Sequence, residues 1–216
     1  MKWIFGIILA FTLHSCFDII EEVNFNEDGS GNFSYQINLG KYKFTLDNIM
    51  KLDSIGKFKI PTNEDIRKDL VDLQAQLNKI EGASSVKCSG DFEYYLFKIT
   101  GNFKNVEALN KAYTAIYNFK RNEKLPTIEA YKYDGKSFVR NEKEPKTDIF
   151  AKNTFLKENQ FTEGKIMIVT RFAAEVLTVS NGKTIISKNK QATLTKCTAA
   201  ELMKNPAIIN CEVKLK

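Results

Sequence analysis

Apolar and polar residues alternate with a period of two near the start of the chain. Val23 and Phe25 alternate with polar neighbours within Ile19 to Asn26, and a second alternating run extends from Asn32 to Leu39. An Asp-Gly turn, Glu27-Asp28-Gly29-Ser30-Gly31, lies between the two runs. Two alternating runs around such a turn predict a β-hairpin.

The period then changes to that of a helix. Thr62 is a suitable N-cap and Gly82 a suitable stop for a helix whose apolar residues recur at steps of four and three. These residues are Ile66, Leu70, Leu73, Leu77 and Ile80. The stripe is too short for a coiled coil alone and favours packing onto a sheet. Lys43 to Ser54, before this helix, predicts a short helix or an irregular cover.

A second hairpin and a second helix follow. Strands are predicted over Ala83 to Ser89 and Phe92 to Phe103, joined by Gly90-Asp91. The second strand is apolar on both faces, which is typical of a central strand. Asn105 to Phe119 has its apolar residues on one helical face. The order hairpin, helix, hairpin, helix predicts an antiparallel sheet with about two main helices packed on one face.

The remaining chain is rich in predicted strands. Arg121 to Lys146 is interpreted as an excursion or an edge hairpin around Asp134-Gly135, and Asp148 to Asn159 as a helix. Asn181-Gly182 predicts another hairpin turn. The later elements are the strands Lys165 to Phe172, Ala174 to Val179, Lys183 to Lys188 and Gln191 to Lys196, a short helix Thr198 to Lys204, and a last strand Ile208 to Leu215. The predicted fold class is α+β, with one domain over residues 16–216 and a possible sub-boundary near 120–150.

The first sixteen residues have the layout of an export signal. Met1-Lys2 is positive, Trp3 to Leu13 is apolar and uncharged, and a polar chain begins at Asp18. The apolar run is shorter than the roughly 20 residues that span a bilayer. Its end, Leu13-His14-Ser15-Cys16, resembles the lipobox of bacterial prolipoproteins. That resemblance implies a signal peptide over residues 1–15 and acylation of Cys16, for example by palmitate; the alternative is an ordinary cleaved signal with a chance cysteine.

Two further segments resemble envelope lipoproteins. The opening strand that leads into Asn26-Glu27-Asp28-Gly29-Ser30-Gly31 is similar to a recurrent opening in that class. Arg171 to Val176, running on to Ser180-Asn181-Gly182, is similar to the late strands of LppM-type lipoproteins. That family is associated with envelope lipids, and the resemblance implies no catalytic residues. Asp53-Ser54-Ile55 also resembles an O-glycosylation acceptor; a helix-ending serine is the alternative.

Composition excludes several classes of site. The single His (His14) and the single Trp (Trp3) both lie in the predicted leader. The mature chain would therefore lack the imidazole of Ser-His-Asp and Cys-His catalysis and of most zinc and copper sites. We expect no cofactor, no metal and no enzyme activity. Nucleic-acid binding does not explain the excess of basic residues in an exported chain. The lysines either lie against an anionic membrane or form a solvated surface.

Two smaller groups of residues each allow two interpretations. Cys197 and Cys211 are the nearest pair of cysteines and could form a disulfide in an oxidising compartment; the other possibility is that they are buried as small apolar residues. The hairpin loop around Asp28 partly matches a calcium-loop pattern, but Tyr35 stands where a bidentate carboxylate is needed. A plain turn is the better interpretation of this loop.

These observations predict a lipid-anchored, non-catalytic binding or accessory protein of the bacterial envelope, most naturally at the outer membrane. Its partners would be the membrane through acylated Cys16 and either an envelope lipid or an outer-membrane protein. A structural subunit of an outer-membrane machine is the alternative. A carboxylate-dependent glycan hydrolase is less well supported, because adjacent strand residues such as Glu21 and Glu22 point to opposite faces.

Overall fold

The computed structural model describes residues 17–55, 58–121, 124–141 and 164–216. Seven strands form the main sheet, in the order β11-β12-β9-β1-β2-β6-β5. The strands are β1 (Asp18–Phe25), β2 (Gly31–Asn38), β5 (Ala83–Asp91), β6 (Leu96–Phe103), β9 (Lys165–Phe172), β11 (Thr184–Ile186) and β12 (Ala192–Thr198). All neighbours pair antiparallel except β1 and β9, which are parallel.

The remaining strands of the described residues form two smaller sheets. A four-stranded antiparallel sheet has the order β10-β13-β8-β7, and a two-stranded one joins β3 to β4. The strands are β3 (Ser54–Ile55), β4 (Phe58–Lys59), β7 (Tyr131–Tyr133), β8 (Ser137–Arg140), β10 (Val176–Val179) and β13 (Cys211–Leu215). The four-stranded sheet contributes Tyr131, Phe138 and Val213 to the main hydrophobic core.

Four α-helices occur in the described part of the chain: α1 (Lys43–Ile49), α2 (Asn63–Leu77), α3 (Val106–Asn118) and α4 (Ala199–Lys204). Thr62 caps α2 in a capping box with Asp65, and Thr198 caps α4 in the same way with Glu201. Asn105 caps α3 through its side chain. Each cap satisfies backbone N–H groups that the first helical turn leaves without partners, so local sequence decides where these helices begin.

Two hydrophobic clusters hold the elements together. The larger joins the inner face of β1 and β2 to α2, α3 and the four-stranded sheet, with Phe33 and Leu77 at its centre. The smaller contains Phe17 and Tyr42 with residues of β9, β12 and α4. The larger cluster includes residues on both sides of positions 120–150. The predicted α+β class, with helices on one face and a strand-rich C-terminal part, is confirmed.

Several sequence predictions need correction. The strand predicted from Phe92 begins only at Leu96, because residues 92–95 form the turn and leave Tyr94 exposed. The Asn181-Gly182 turn does not make a hairpin: β10 and β11 on either side belong to different sheets. Of the two interpretations of Arg121 to Lys146, the edge hairpin is confirmed: β7 and β8 pair around Asp134-Gly135 at the edge of the four-stranded sheet, where β8 also pairs with β13 and buries Arg140. The helix predicted over Asp148 to Asn159 lies outside the described residues.

Candidate functional site

The described chain begins in the middle of the main sheet. The predicted signal peptide and Cys16 lie outside the described residues, and Phe17, next to the predicted anchor, is the first residue that the structure describes. Phe17 is buried, and its carbonyl accepts a hydrogen bond from the N–H of Lys165 at 2.7 Å. A Cβ added at Gly164 would come within 2.2 Å of the Phe17 ring, so only glycine fits there. The residue after Cys16 is therefore held firmly against β9.

Neighbouring glutamates on β1 point to opposite faces of the main sheet. Glu21 pairs with Tyr35 of β2 and is 2% exposed, on the face that α2 and α3 cover. Glu22 lies on the other face and forms an ion pair with Arg171 of β9. We call these the inner and the outer face. The two carboxylates cannot act on one substrate, which argues against the acid pair that a glycan hydrolase would need.

Glu21 is the centre of a buried polar cluster. Arg140 Nε and Nη2 donate to Glu21 Oε1 and Oε2 at 2.9 and 3.0 Å, a bidentate pair. The hydroxyl of Tyr131 donates to Glu21 Oε1 at 2.8 Å. Since that proton is used, the hydroxyl of Tyr35, 3.1 Å away, donates in turn to Tyr131. The chain of contacts ties β1 and β2 to the four-stranded sheet.

Tyr131 is buried, and its backbone is held by α3. The Asn110 side chain of α3 clamps its backbone, accepting from the N–H at 3.0 Å and donating to the carbonyl at 2.9 Å. Burial raises the pKa of Tyr131 well above its ordinary value, and the nearby Glu21 carboxylate adds to this. The phenol therefore stays protonated and serves as a fixed donor. With Glu21, Tyr131 and Arg140 each 2% exposed, the cluster is closed to a substrate and holds the fold together.

Arg140 and Tyr131 were not predicted from the sequence, although the pattern of β1 indicates that Glu21 points inward. The alternation that places Val23 and Phe25 inward also places Glu21 inward, and a buried carboxylate needs a cationic partner. Nothing local identified that partner, which lies 119 residues away.

The outer face of the main sheet divides into a polar and an apolar half. The polar half forms a shallow groove of about 380 Å³ across β1, β2, β6 and β5. Its lining includes Glu22, Asn32, Ser34, Ser85, Lys98 and Thr100. The apolar half crosses β9, β12 and β11, where Val169 pairs with Leu194 and Leu194 with Ile185. We call these three residues the outer stripe; none belongs to either hydrophobic cluster, and Ile185 is 61% exposed.

A second depression of about 290 Å³ lies along the extended segment before β7. It is lined by Leu125, Pro126, Thr127, Ile128, Glu129, Lys132 and Asn141. Both depressions mix polar and apolar groups, and neither is a deep apolar cavity of the kind that encloses a lipid chain.

No disulfide joins the three cysteines of the described residues, Cys88, Cys197 and Cys211. Cys197 on β12 is buried in the smaller cluster and Cys211 on β13 in the larger, so the disulfide considered from the sequence is not formed here. Both instead fill space as small apolar side chains. Cys88 is half-buried on β5, and burial raises the pKa of its thiol to about 11, which keeps it protonated.

The loop with the partial calcium pattern is a hairpin turn. Asp28 Oδ1 accepts from the N–H and the hydroxyl of Ser30 at 3.0 and 2.6 Å, and these bonds lower the pKa of Asp28. Gly29 supplies the positive φ of 79° that the turn needs. Among the described residues, no group of three or more His, Cys, Asp or Glu side chains is placed to hold a metal ion. Ser54, of the possible glycosylation acceptor, is exposed at the start of β3.

Helices of the described residues are all too short or too polar to span a bilayer.

Comparison with known proteins finds one distant structural neighbour. No family model and no curated protein matches the sequence. The NMR structure of the folded domain of LppM from Mycobacterium tuberculosis aligns with 93% of this chain and 89% of its own, at 8% identity and a TM-score of 0.39. The likeness is too distant to transfer a residue role or a function.

Proposed function

We propose that the protein is a lipid-anchored, non-catalytic accessory protein of the bacterial envelope. The observation that carries the proposal is the apolar run that ends in Leu13-His14-Ser15-Cys16. Two fatty chains on one cysteine supply the double signal that stable membrane binding needs, at about 0.8 kcal/mol per buried CH₂. The packing of Phe17 against Gly164 and its hydrogen bond to Lys165 support the proposal, because a folded domain that starts one residue after the anchor needs no further attachment.

The binding role is supported by the outer stripe rather than by a cavity. The two depressions are shallow and mix polar and apolar groups, whereas Val169, Leu194 and Ile185 form a partly exposed apolar surface on the face of a sheet. Flat apolar surfaces favour protein partners over small molecules. The absence of catalysis is supported by the separation of Glu21 and Glu22 and by the lack of histidine after the leader.

Substitution of Cys16 tests the anchor. The full-length protein is expressed in a bacterial host with Cys16→Ala, and membrane and soluble fractions are compared by immunoblotting. We expect release from the membrane and loss of incorporated alkyne-palmitate. Cys88→Ala is the matched control and should remain acylated and membrane-bound. A Cys16→Ala protein that stays in the membrane fraction would overturn the proposal.

A structural subunit of an envelope machine is the second candidate, and the outer stripe is the feature that favours it. Crosslinking in intact membranes separates the two. A structural subunit should crosslink to its neighbours at fixed stoichiometry and lose this in Ile185→Asp. An accessory protein should crosslink to only a fraction of its partner. Turnover of an envelope substrate by the purified protein would contradict both.

A further inference from the structure

Exposed apolar side chains concentrate at the end of the main sheet where the chain leaves Cys16. Seven large apolar residues are exposed among the described positions, and four of them lie at this end. These four are Ile37 (42% exposed), Phe44 (82%), Leu52 (50%) and Tyr94 (58%). We call them the α1 patch.

Hydrogen bonds and packing bring the segments of the α1 patch together. The N–H of Leu39, two residues after Ile37, donates to the carbonyl of Tyr95 at 3.0 Å. The hydroxyl of Tyr95 donates to Asp47 Oδ1 of α1 at 2.8 Å. Leu52 follows α1 at once, with its N–H bonded to the carbonyl of Ile49. The turn before β6, the end of β2 and α1 are therefore neighbours in the fold.

The same helix joins the patch to Phe17. Leu46 of α1 packs against the smaller cluster, which contains Phe17 and Tyr42. Phe44 is two residues away and therefore about 200° around the helix. One side of α1 thus packs against the cluster that contains Phe17, while the other presents an aromatic ring to the outside.

Charge does not explain why these side chains are exposed. Lys41 and Lys51 are exposed near the patch, but so are the acids Asp53 and Glu93. With both signs present, attraction to anionic lipid would be weak, and contact with lipid would have to come from the apolar groups. Aromatic and aliphatic side chains flanked by lysines suit the membrane interface, where lysine stems extend along apolar surface and keep their charges in water.

We propose that the α1 patch inserts into the membrane interface beside the acylated Cys16. The proposal rests on the anchoring proposed above, since the anchor is what brings this end of the sheet to the lipid. The domain is then held in a fixed orientation, with its Phe17 end at the bilayer. The turn after Phe25, at the other end of β1, points away from the lipid.

Tryptophan fluorescence tests this orientation in the full chain. The only native tryptophan is Trp3, in the leader, so Trp3→Phe leaves a silent background. Phe44→Trp then places one reporter in the patch. Leu177→Trp is the matched control, because Leu177 is also exposed (54%) but lies on β10. The segment that leads into β10 lies at the Phe25 end of β1, where the N–H of Ala173 donates to the carbonyl of Phe25.

Each acylated protein is reconstituted into phosphatidylcholine vesicles with ordinary or brominated acyl chains. We expect emission from Trp at position 44 to shift to shorter wavelength and to be quenched several-fold by the brominated chains, with the same result when anionic lipid is added. The control at position 177 should show neither change. Equal emission at both positions, or a shift only with anionic lipid, would overturn the insertion.

Failure of the anchor gives a different result. If Cys16 is not acylated, neither variant is recovered with the vesicles on flotation, whatever its fluorescence. If both variants float but position 44 behaves as it does in water, the anchor stands and the insertion is wrong. Circular dichroism of both variants checks that the exposed substitutions leave the fold intact.

Discussion

Glu21 and Glu22 are neighbours in sequence and each is paired with an arginine, yet they lie in different physical environments. On the inner face, Glu21 and Arg140 are 3% and 1% exposed at their side chains. On the outer face, Glu22 and Arg171 are 33% and 49% exposed. The same chemistry therefore has different consequences: the inner pair must stay complete because neither charge can return to water, whereas the outer pair can open at little cost.

The contrast extends to the apolar residues of the two faces. Phe33 on the inner face is 1% exposed and packs beneath α3, whereas Ile185 on the outer face is 61% exposed. At these positions the inner face contributes to stability, whereas the outer face is left exposed. The following substitutions test that division, from the largest expected effect to the smallest.

Removal of the inner arginine should have the largest effect. Arg140→Met leaves Glu21 as an uncompensated buried carboxylate, which costs about 3–5 kcal/mol of unfolding free energy. Urea denaturation followed by circular dichroism measures it. The matched control, Arg171→Met, removes the exposed partner of Glu22 and should cost about 0–1 kcal/mol. Equal losses in the two variants would refute the distinction between the faces.

Removal of one hydroxyl from the same cluster should have a smaller effect. Tyr131→Phe deletes the donor to Glu21 but leaves the bidentate arginine, so we expect a loss of about 1.5–3 kcal/mol, as for a hydrogen bond to a charged group. Tyr133→Phe is the control, because the contact from its hydroxyl to the Asn26 carbonyl is long, at 3.4 Å, and more exposed. A larger loss at Tyr133 would contradict the assignment.

Alkaline pH should destabilise the protein through the same tyrosine. The pKa of Tyr131 is raised by burial and then by Glu21, whereas the unfolded chain has the ordinary value of 10.0. Above pH 10 the unfolded state therefore binds fewer protons, and stability falls as pH rises, by about 1.4 kcal/mol per unit for one group, until the folded pKa is reached. The free energy of unfolding should be measured between about pH 9 and 11, a range that brackets the ordinary tyrosine pKa.

Tyr131→Phe isolates this effect from other tyrosines. The pKa of Tyr95 is also raised, to about 12, by burial and by its hydrogen bond to Asp47. The difference between the wild type and Tyr131→Phe should therefore shrink as pH rises above 10. A constant difference over that range would show that Tyr131 ionises equally in both states.

Changes to the outer stripe should have the smallest effect on stability. Ile185→Thr removes apolar surface that neither hydrophobic cluster uses, so we expect a change within about 0.5 kcal/mol. Phe33→Ala, on the inner face, provides the scale, with a loss of about 3–5 kcal/mol. If Ile185→Thr unfolds the protein at much lower urea, the outer stripe belongs to the core and is not a binding surface.

The elements that the sequence predicted well depend on contacts between near neighbours. The helix start at Thr62 is a capping box closed within three residues, and the first hairpin is closed by Asp28 and Ser30. β9 was predicted with its observed bounds, and its side chains alternate between a buried and a more exposed face. The candidate site was not predicted: the alternation that places Val23 and Phe25 inward also places Glu21 inward, but alternation cannot show which group neutralises Glu21.

The error at Asn181-Gly182 came from contacts between distant residues, and the error at Tyr94 came from a local turn. Asn181-Gly182 has the residues of a hairpin turn, yet the Asn181 side chain donates to the carbonyls of Ile208 and Asn210 instead. That bonding turns the chain from one sheet to the other. Tyr94 was placed in a strand because it is apolar, although the hydrogen bonds that Asp91 accepts from Glu93 and Tyr94 make residues 92–95 a turn.

By itself, the sequence determined the local periods, the helix caps, the tight turns and the α+β class. The parallel pairing of β1 with β9, the Glu21–Arg140 pair and the separation of an inner from an outer face were decided only by the tertiary structure. The physical reason is that caps and turns are stabilised by groups a few residues apart. Pairing between distant strands depends instead on the summed burial of many side chains, and no short stretch of sequence carries that sum.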